Sequence, residues 1–298
     1  MNKLGKSDLE VSEISFGCMS LGDHQAHADH LLHKALDQGI NFFDTADLYD
    51  KGMNEQFVGA ALKPVRKEVV LATKVGNQWR PDGSGWDWNP TKEYILKAVE
   101  QSLRRLQTDY IDLYQLHGGT IEDPIDETIE AFELLKEQGK IRWYGISSIR
   151  PNVIKTYVEK SNMVSVMMQY SLLDHRPEEE IVALLASNQI SVITRGAVAQ
   201  GRLLGKKSGS YLQFSSSEVA KAVKAINKLS DHLNKQKLTI ALAYVLSQNG
   251  VASAVTGIRT EEQLDEALFA LHEMIKLPNE QLTELKKQVR HFTYDSHR

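Results

Sequence analysis

An acid, a phenol, an amine and an imidazole, Asp44, Tyr49, Lys74 and His117, each stand at or just beyond the end of a short apolar run. The runs are Ile40 to Phe43, Val69 to Ala72 and Tyr110 to Leu116. If these are successive buried parallel strands, the four side chains converge at one rim of one sheet. Active sites of α/β barrels are built at that rim, beyond the carboxyl ends of the strands. The chemistry such a group can do is proton transfer. A tyrosine hydroxyl titrates at about 10, too high for exchange at neutral pH unless its phenolate is stabilised. An adjacent ammonium stabilises it, and a carboxylate beside the ammonium fixes its position and charge. Lys74 and Asp44 supply those two groups, and His117 can orient a substrate oxygen. The set suits reversible protonation of a carbonyl oxygen during hydride transfer. Singly, each residue has a plainer role, as a helix cap or a solvent-seeking strand end.

The elements that must position these residues alternate along almost the whole chain, apolar β-branched runs with amphipathic segments, the pattern of repeated βα units. Strands are expected near Glu13 to Gly17, Ile40 to Asp44, Val69 to Val75, Tyr110 to His117, Ile141 to Ser147, Val164 to Gln169, Ser191 to Arg195 and Ala252 to Thr256. Helical periodicity fills Lys92 to Leu106, with Thr91 as its cap, and Glu127 to Gln138, stopped by Gly139. Ser217 to Leu233, Leu238 to Gln248, Glu261 to His272 and Asn279 to His291 also read as helices, more than simple alternation needs. The expected fold is an α/β (β/α)8 TIM barrel with additional C-terminal helices, as one domain over residues 1–298. The rival, an open doubly wound sheet, normally carries G-x-G-x-x-G after its first strand, and GCMSLG stands there instead.

Composition narrows the classes. A formal net charge of −4 gives no basic face for nucleic acid. No apolar run approaches the roughly 20 residues that span a bilayer, and MNKLGKSDLEVSEISFG holds no signal-peptide core. One cysteine, Cys18, excludes an internal disulfide. A cytoplasmic protein acting on a small molecule is expected, with no nucleic-acid or membrane partner. His24, His27, His30 and His33 recur at threes, but a zinc site needs a further fixed ligand and supporting shell, so they read as solvated helix residues.

The words around the four residues resemble the aldo-keto reductases. DTADLY holds Asp44 and Tyr49 five apart, followed by Gly52, Asn54, Glu55 and Gly59; LATK ends at Lys74, DYIDLYQLHGG contains His117, and GISS covers Gly145 to Ser148. The similarity runs from LGKSDLEVSEISFGCMSLG to VTGIRTEEQL, nearly the entire chain. The resemblance implies a (β/α)8 barrel that binds NADPH/NADP+ without a Rossmann fold. It also implies that Tyr49 is general acid for reduction and base for oxidation, supported by Lys74 and Asp44, with His117 orienting the carbonyl of a small-molecule substrate.

By the same resemblance the nicotinamide carboxamide is held by Ser147 and by Ser148, which replaces the family's asparagine. Met167 occupies the usual glutamine position, and Gln169, two residues on and on the same strand face, is assigned the amide contact instead. Arg195 stands where the family places a stacking tyrosine; its planar guanidinium can stack, and its charge is expected to favour the reduced cofactor. Gly196, Ala197, Val198 and Gln200 bring backbone amides to the pyrophosphate. Gly257, Arg259, Gln263 and Glu266 resemble the adenosine end, with Arg259 set for the 2′-phosphate and Ala267 in place of an adenine-contacting asparagine.

GNQWRPDGSGWDWNP gathers Trp79, Trp86 and Trp88 in one loop after the third strand; with Met19 they are expected to line an apolar substrate pocket. Two other functions fit the same barrel: a slow-turnover redox-sensing NADPH-binding protein, and an aldolase using Lys74 as a Schiff-base amine.

Overall fold

A computed structural model describes residues 1–298. Eight parallel strands close into a barrel: Ile14–Gly17, Phe42–Asp44, Val70–Val75, Ile111–Leu116, Ile141–Ser147, Ser165–Gln169, Ser191–Arg195 and Val251–Gly257. They lie side by side in chain order, and the eighth closes on the first through Ala254–Ile14 to Gly257–Gly17. Each strand falls within about two residues of its sequence expectation because both faces are buried, one inside the barrel and one beneath the helices, and apolar runs mark such strands directly.

The helix Lys92–Leu106 matches its expected span, and the Thr91 hydroxyl caps it by accepting from the Tyr94 amide at 3.4 Å. The next helix begins earlier than expected, at Ile125, directly after Pro124. The surplus C-terminal helices are now placed. Ser216–Leu233 and Lys237–Leu246 both lie between the seventh and eighth strands, and Glu261–His272 and Asn279–Lys287 both follow the eighth.

Two hairpins escaped the sequence reading. Asn2–Lys3 pairs with Glu10–Val11 and brings Leu4, Leu9 and Val11 into one buried cluster with the barrel-interior residues Phe42, Val70 and Leu113. The hairpin therefore plugs the barrel at the end opposite the carboxyl rim. The second pairs Asn77–Trp79 with Trp86–Trp88, inside the stretch expected to be a loop. Each strand is too short to show a period.

A larger core joins the outer strand faces to the helices, and one contact in it is unusually close. Met53–Leu62 approaches Lys92–Leu106 so tightly that a Cβ on Gly59 would lie 2.5 Å from the Arg105 carbonyl oxygen and from the Leu106 Cα. Backbone atoms cannot yield as a flexible side chain would. Gly59→Ala is expected to cost about 1–3 kcal/mol in urea unfolding, and an unchanged midpoint would contradict this packing.

Candidate active site

The barrel register explains how the polar residues meet. Asp44, the last residue of its strand, pairs with Ala72, and Lys74 lies two residues beyond Ala72 on the same strand face. Both are buried, at 4% and 1% exposed. The Lys74 Nζ donates to Asp44 Oδ2 at 2.6 Å, to the Thr45 carbonyl at 2.7 Å and to the Tyr49 hydroxyl at 3.4 Å. Gln115, level with Lys74 on the fourth strand, donates to the other carboxylate oxygen of Asp44 at 3.3 Å. The Tyr49 and His117 rings meet edge to face, centroids 5.8 Å apart. His117 Nδ1 is buried without a partner. Asp44, Tyr49, Lys74 and His117, expected together, are together.

Burial dominates the electrostatics. It pulls the Lys74 ammonium down, but the charges of Asp44 and Tyr49 and their hydrogen bonds outweigh it, so Lys74 titrates above its ordinary value. Burial likewise raises Asp44, with Lys74 opposing. For Tyr49 burial again leads, and the lowering by Lys74 does not overcome it, so the phenol is raised rather than depressed. The expectation that an ammonium alone would bring this phenol down is corrected: desolvating a phenolate costs more than one neighbouring cation returns. Tyr49 therefore stays a protonated phenol at neutral pH. Burial, with Lys74 and Arg195 adding like charge, pushes His117 down to about 3. His117 is therefore expected to stay neutral from pH 5 to 8, and an NMR-detected imidazole titration near pH 6.5 would refute that.

These groups open onto a cavity of about 740 Å³ that also reaches Ser147, Ser148, Arg195, Gly196 and Gly257. A family model described as the aldo/keto reductase family matches residues 13–290. The chain belongs to the aldo/keto reductase family.

The uncharacterized oxidoreductase YqkF of Bacillus subtilis (strain 168) is 51% identical over 305 residues, 99% of this chain and 98% of the relative. The holo form of the Bacillus halodurans aldo-keto reductase AKR11C1 is 48% identical, with a TM-score of 0.93 over 99% of this chain and 98% of that one; its apo form scores 0.85. A more distant relative, 30% identical over 90% of this chain and 92% of its own length, is the NADH-specific methylglyoxal reductase of Escherichia coli (strain K12). The chain is thus an oxidoreductase, and the family works with nicotinamide cofactors and carbonyl groups. No helix is long and apolar enough to cross a membrane.

The remaining site residues divide. Met19 lines this cavity, whereas Trp79, Trp86 and Trp88 do not. The tryptophans are used in holding the second hairpin. Trp79 Nε1 donates to the Leu48 carbonyl at 3.2 Å, just before Tyr49, and Trp88 Nε1 donates to Asp123 at 2.9 Å. A Cβ on Gly118, beside His117, would lie 3.3 Å from the Trp88 ring, and Trp86 is exposed. Trp79 and Trp88 brace the loops that carry the site, and none of the three rings lines the cavity.

Gln169 is also corrected: the cavity wall at the sixth strand is Met167. The Gln169 amide donates to Asp174 at 2.7 Å, and its carbonyl accepts from Arg195 Nη1 at 3.3 Å. Asp174 is completely buried and needs donors, which Gln169 and Arg176 supply. Ala197, Val198, Gln200, Arg259, Gln263 and Glu266 stand outside this cavity, on the segments after the seventh and eighth strands. There the Gln263 side chain accepts from the Arg259 amide at 2.8 Å, and Glu266 pairs with Lys206 at 2.7 Å. The Arg259 carbonyl meets His27 Nε2 at 2.8 Å, so at least that histidine ties its helix to this segment.

Several contributors went unread in the sequence. Gln115 stands inside DYIDLYQLHGG as a polar residue in an apolar strand, but its bond to Asp44 follows only from the register that sets it level with Lys74. Arg150 and the C-terminal residues Tyr294 to His297 line the cavity too. The tail reaches it because Arg298 pairs with Glu179, the Tyr294 amide donates to Glu179 at 3.4 Å, and the His297 carbonyl accepts from the Asn152 amide at 2.8 Å.

Proposed function

We propose that this chain is an NADPH-dependent carbonyl reductase, in which Tyr49 protonates the carbonyl oxygen of an aldehyde or ketone. The observation that carries this is the Lys74 Nζ, which touches Asp44 at 2.6 Å and the Tyr49 hydroxyl at 3.4 Å in one row at the barrel rim. Tyr49 gives up its proton, and the Lys74 ammonium compensates the phenolate left behind. Asp44 holds that ammonium charged and, with Gln115 and the Thr45 carbonyl, in place. His117, neutral and with Nδ1 unpartnered, presents its ring beside Tyr49 and orients the substrate oxygen. A bound nicotinamide supplies the hydride for the carbonyl carbon.

The chemistry of the donor set fits the cofactor. Arg195 and Arg259 have no carboxylate within ion-pair reach, although the chain has more acidic than basic residues. Ser147 and Ser148 would meet the carboxamide, Arg195 would stack on the nicotinamide ring, Gly196 to Gln200 would meet the diphosphate, and Gly257, Arg259, Gln263 and Glu266 the adenosine end. Since a relative at 30% identity is named NADH-specific, overall identity does not choose between the cofactors. Arg259 is the residue that favours NADPH, because a free guanidinium pairs with the 2′-phosphate. A Schiff-base role for Lys74 asks for a neutral amine, and its raised pKa opposes that.

The test is NADPH oxidation with a panel of aldehydes, ketones and quinones. Turnover at an ordinary enzymatic rate supports the reductase over a slow redox sensor, and trapping of substrate on Lys74 by borohydride without NADPH consumption would overturn it. Arg259→Ala is expected to erode the NADPH preference about tenfold or more in kcat/KM relative to NADH; an unchanged ratio removes Arg259 from the cofactor site.

A further inference from the structure

Four cationic side chains line the cavity, Lys74, Arg150, Arg176 and Arg195, against the carboxylates of Asp44 and Asp295. Lys74 is matched by Asp44 at 2.6 Å, and Arg176 by Asp174 through two hydrogen bonds of 2.7 and 2.9 Å. Asp295, exposed on the C-terminal tail, accepts from Gln213 at 3.1 Å. Arg150 and Arg195 are left without a carboxylate within ion-pair reach, and they stand on different flanks. Arg195 ends the seventh strand, beside the segments proposed above for the cofactor phosphates. Arg150 follows the fifth strand, and its Nη1 donates to the carbonyl of Gly119, two residues past His117. The barrel order separates the fifth strand from the eighth by the sixth and seventh, so Arg150 lies away from Arg259 and its proposed 2′-phosphate contact.

The position of Arg150 is fixed on both sides. Its amide donates to the Ser148 hydroxyl at 3.2 Å, and two residues on the Asn152 amide donates to the carbonyl of His297 on the tail. One guanidinium hydrogen bond goes to Gly119, which leaves further N–H groups of the planar fork without a protein carboxylate. A half-buried guanidinium on the wall of a reaction cavity, matched by no anion of the protein, is a recognition element for an anion of the substrate. The fork geometry suits a carboxylate, which it can bind through two parallel hydrogen bonds.

We propose that Arg150 selects carbonyl substrates bearing a carboxylate, so that this enzyme prefers aldehydic or oxo acids over uncharged aldehydes of the same shape. The inference rests on the carbonyl-reductase reading above and names its substrate class. Binding places the carboxylate at Arg150 on the fifth-strand flank and the carbonyl oxygen at Tyr49 and His117. Met19, Leu48 and Ile149, which also line the cavity, offer apolar surface for the chain between the two groups.

The experiment compares kcat/KM for matched pairs, 5-oxopentanoate against pentanal and 4-carboxybenzaldehyde against 4-methylbenzaldehyde, with NADPH in wild type, Arg150→Gln and Arg150→Lys. In wild type the charged member of at least one pair is expected to be preferred. In Arg150→Gln the charged-to-neutral ratio for that pair should fall by about ten- to a hundredfold, mainly through KM of the acid, and Arg150→Lys should restore part of it. A guanidinium that merely braces the Gly119 loop would lower both members of a pair equally and leave the ratio unmoved, which overturns the proposal. So does a wild-type enzyme that reduces the neutral aldehydes with no preference for either acid, an outcome that leaves the reductase reading standing. No turnover of any of the four likewise overturns it, while the panel of aldehydes, ketones and quinones decides the reductase reading.

Discussion

Tyr49→Phe is expected to lower kcat for carbonyl reduction by about 10²- to 10⁴-fold while cofactor affinity stays within a few-fold of wild type. The substitution removes one oxygen and keeps the ring, so the edge contact with His117 at 5.8 Å survives. What disappears is the proton donor, and nothing beside it can substitute. Lys74 holds its protons in bonds to Asp44 and the Thr45 carbonyl, and His117, lowered to about 3, carries no spare proton at neutral pH. Because the phenol itself is raised by burial, reduction should stay fast toward neutral and acidic pH, where the donor remains protonated. Steady-state rates with cofactor binding followed by fluorescence decide it. Retention of wild-type kcat would remove Tyr49 from the proton-transfer role.

Lys74→Met is expected to destabilise the fold by about 3–5 kcal/mol, a larger effect than any surface substitution, because it leaves Asp44 charged in the barrel without its counter-ion. Lys74 and Asp44 are both wholly buried, so solvent cannot replace the lost partner. Gln115 alone, at 3.3 Å, offers one neutral donor. The loss should depend on pH. Asp44 already titrates above its ordinary value in the folded chain, and removing the ammonium raises it further. A carboxyl with a raised folded pKa contributes stability in its protonated form. That contribution is complete below the unfolded value of about 4 and is lost as pH rises through the folded value. The deficit of Lys74→Met relative to wild type should therefore be smaller at pH 5 than at pH 8 in urea unfolding. Equal deficits at the two pH values would mean that Asp44 does not carry the penalty.

Arg150, Tyr294 and Gln115 show where reading along the chain stops. Gln115 looks like any strand residue until the register sets it level with Lys74. The tail has no helix or strand after Lys287 to announce it, and it joins the cavity wall through long-range contacts, among them those to Glu179, Asn152 and Gln213. The tryptophans mislead in the other direction. Three rings in a Gly-rich loop suggest a pocket, but the hairpin turns Trp79 onto Leu48 and Trp88 onto Asp123 and Gly118, and leaves Trp86 exposed. Gln169 misleads for a similar reason. Strand period correctly puts it on the same face as Met167, but the period says nothing of Asp174, the buried carboxylate that claims its amide.

The sequence by itself determined the eight strands, most of the helices and the meeting of Asp44, Tyr49, Lys74 and His117. Strands buried on both faces are written as continuous apolar runs, and a polar residue at the end of such a run has only the barrel rim to occupy. Tertiary structure alone decided the direction of the Tyr49 shift, the bracing role of the tryptophans and the wall containing Arg150. Each depends on which atoms from distant parts of the chain share one desolvated space. Burial and three-dimensional proximity set those energies, and neither is a property of sequence neighbours.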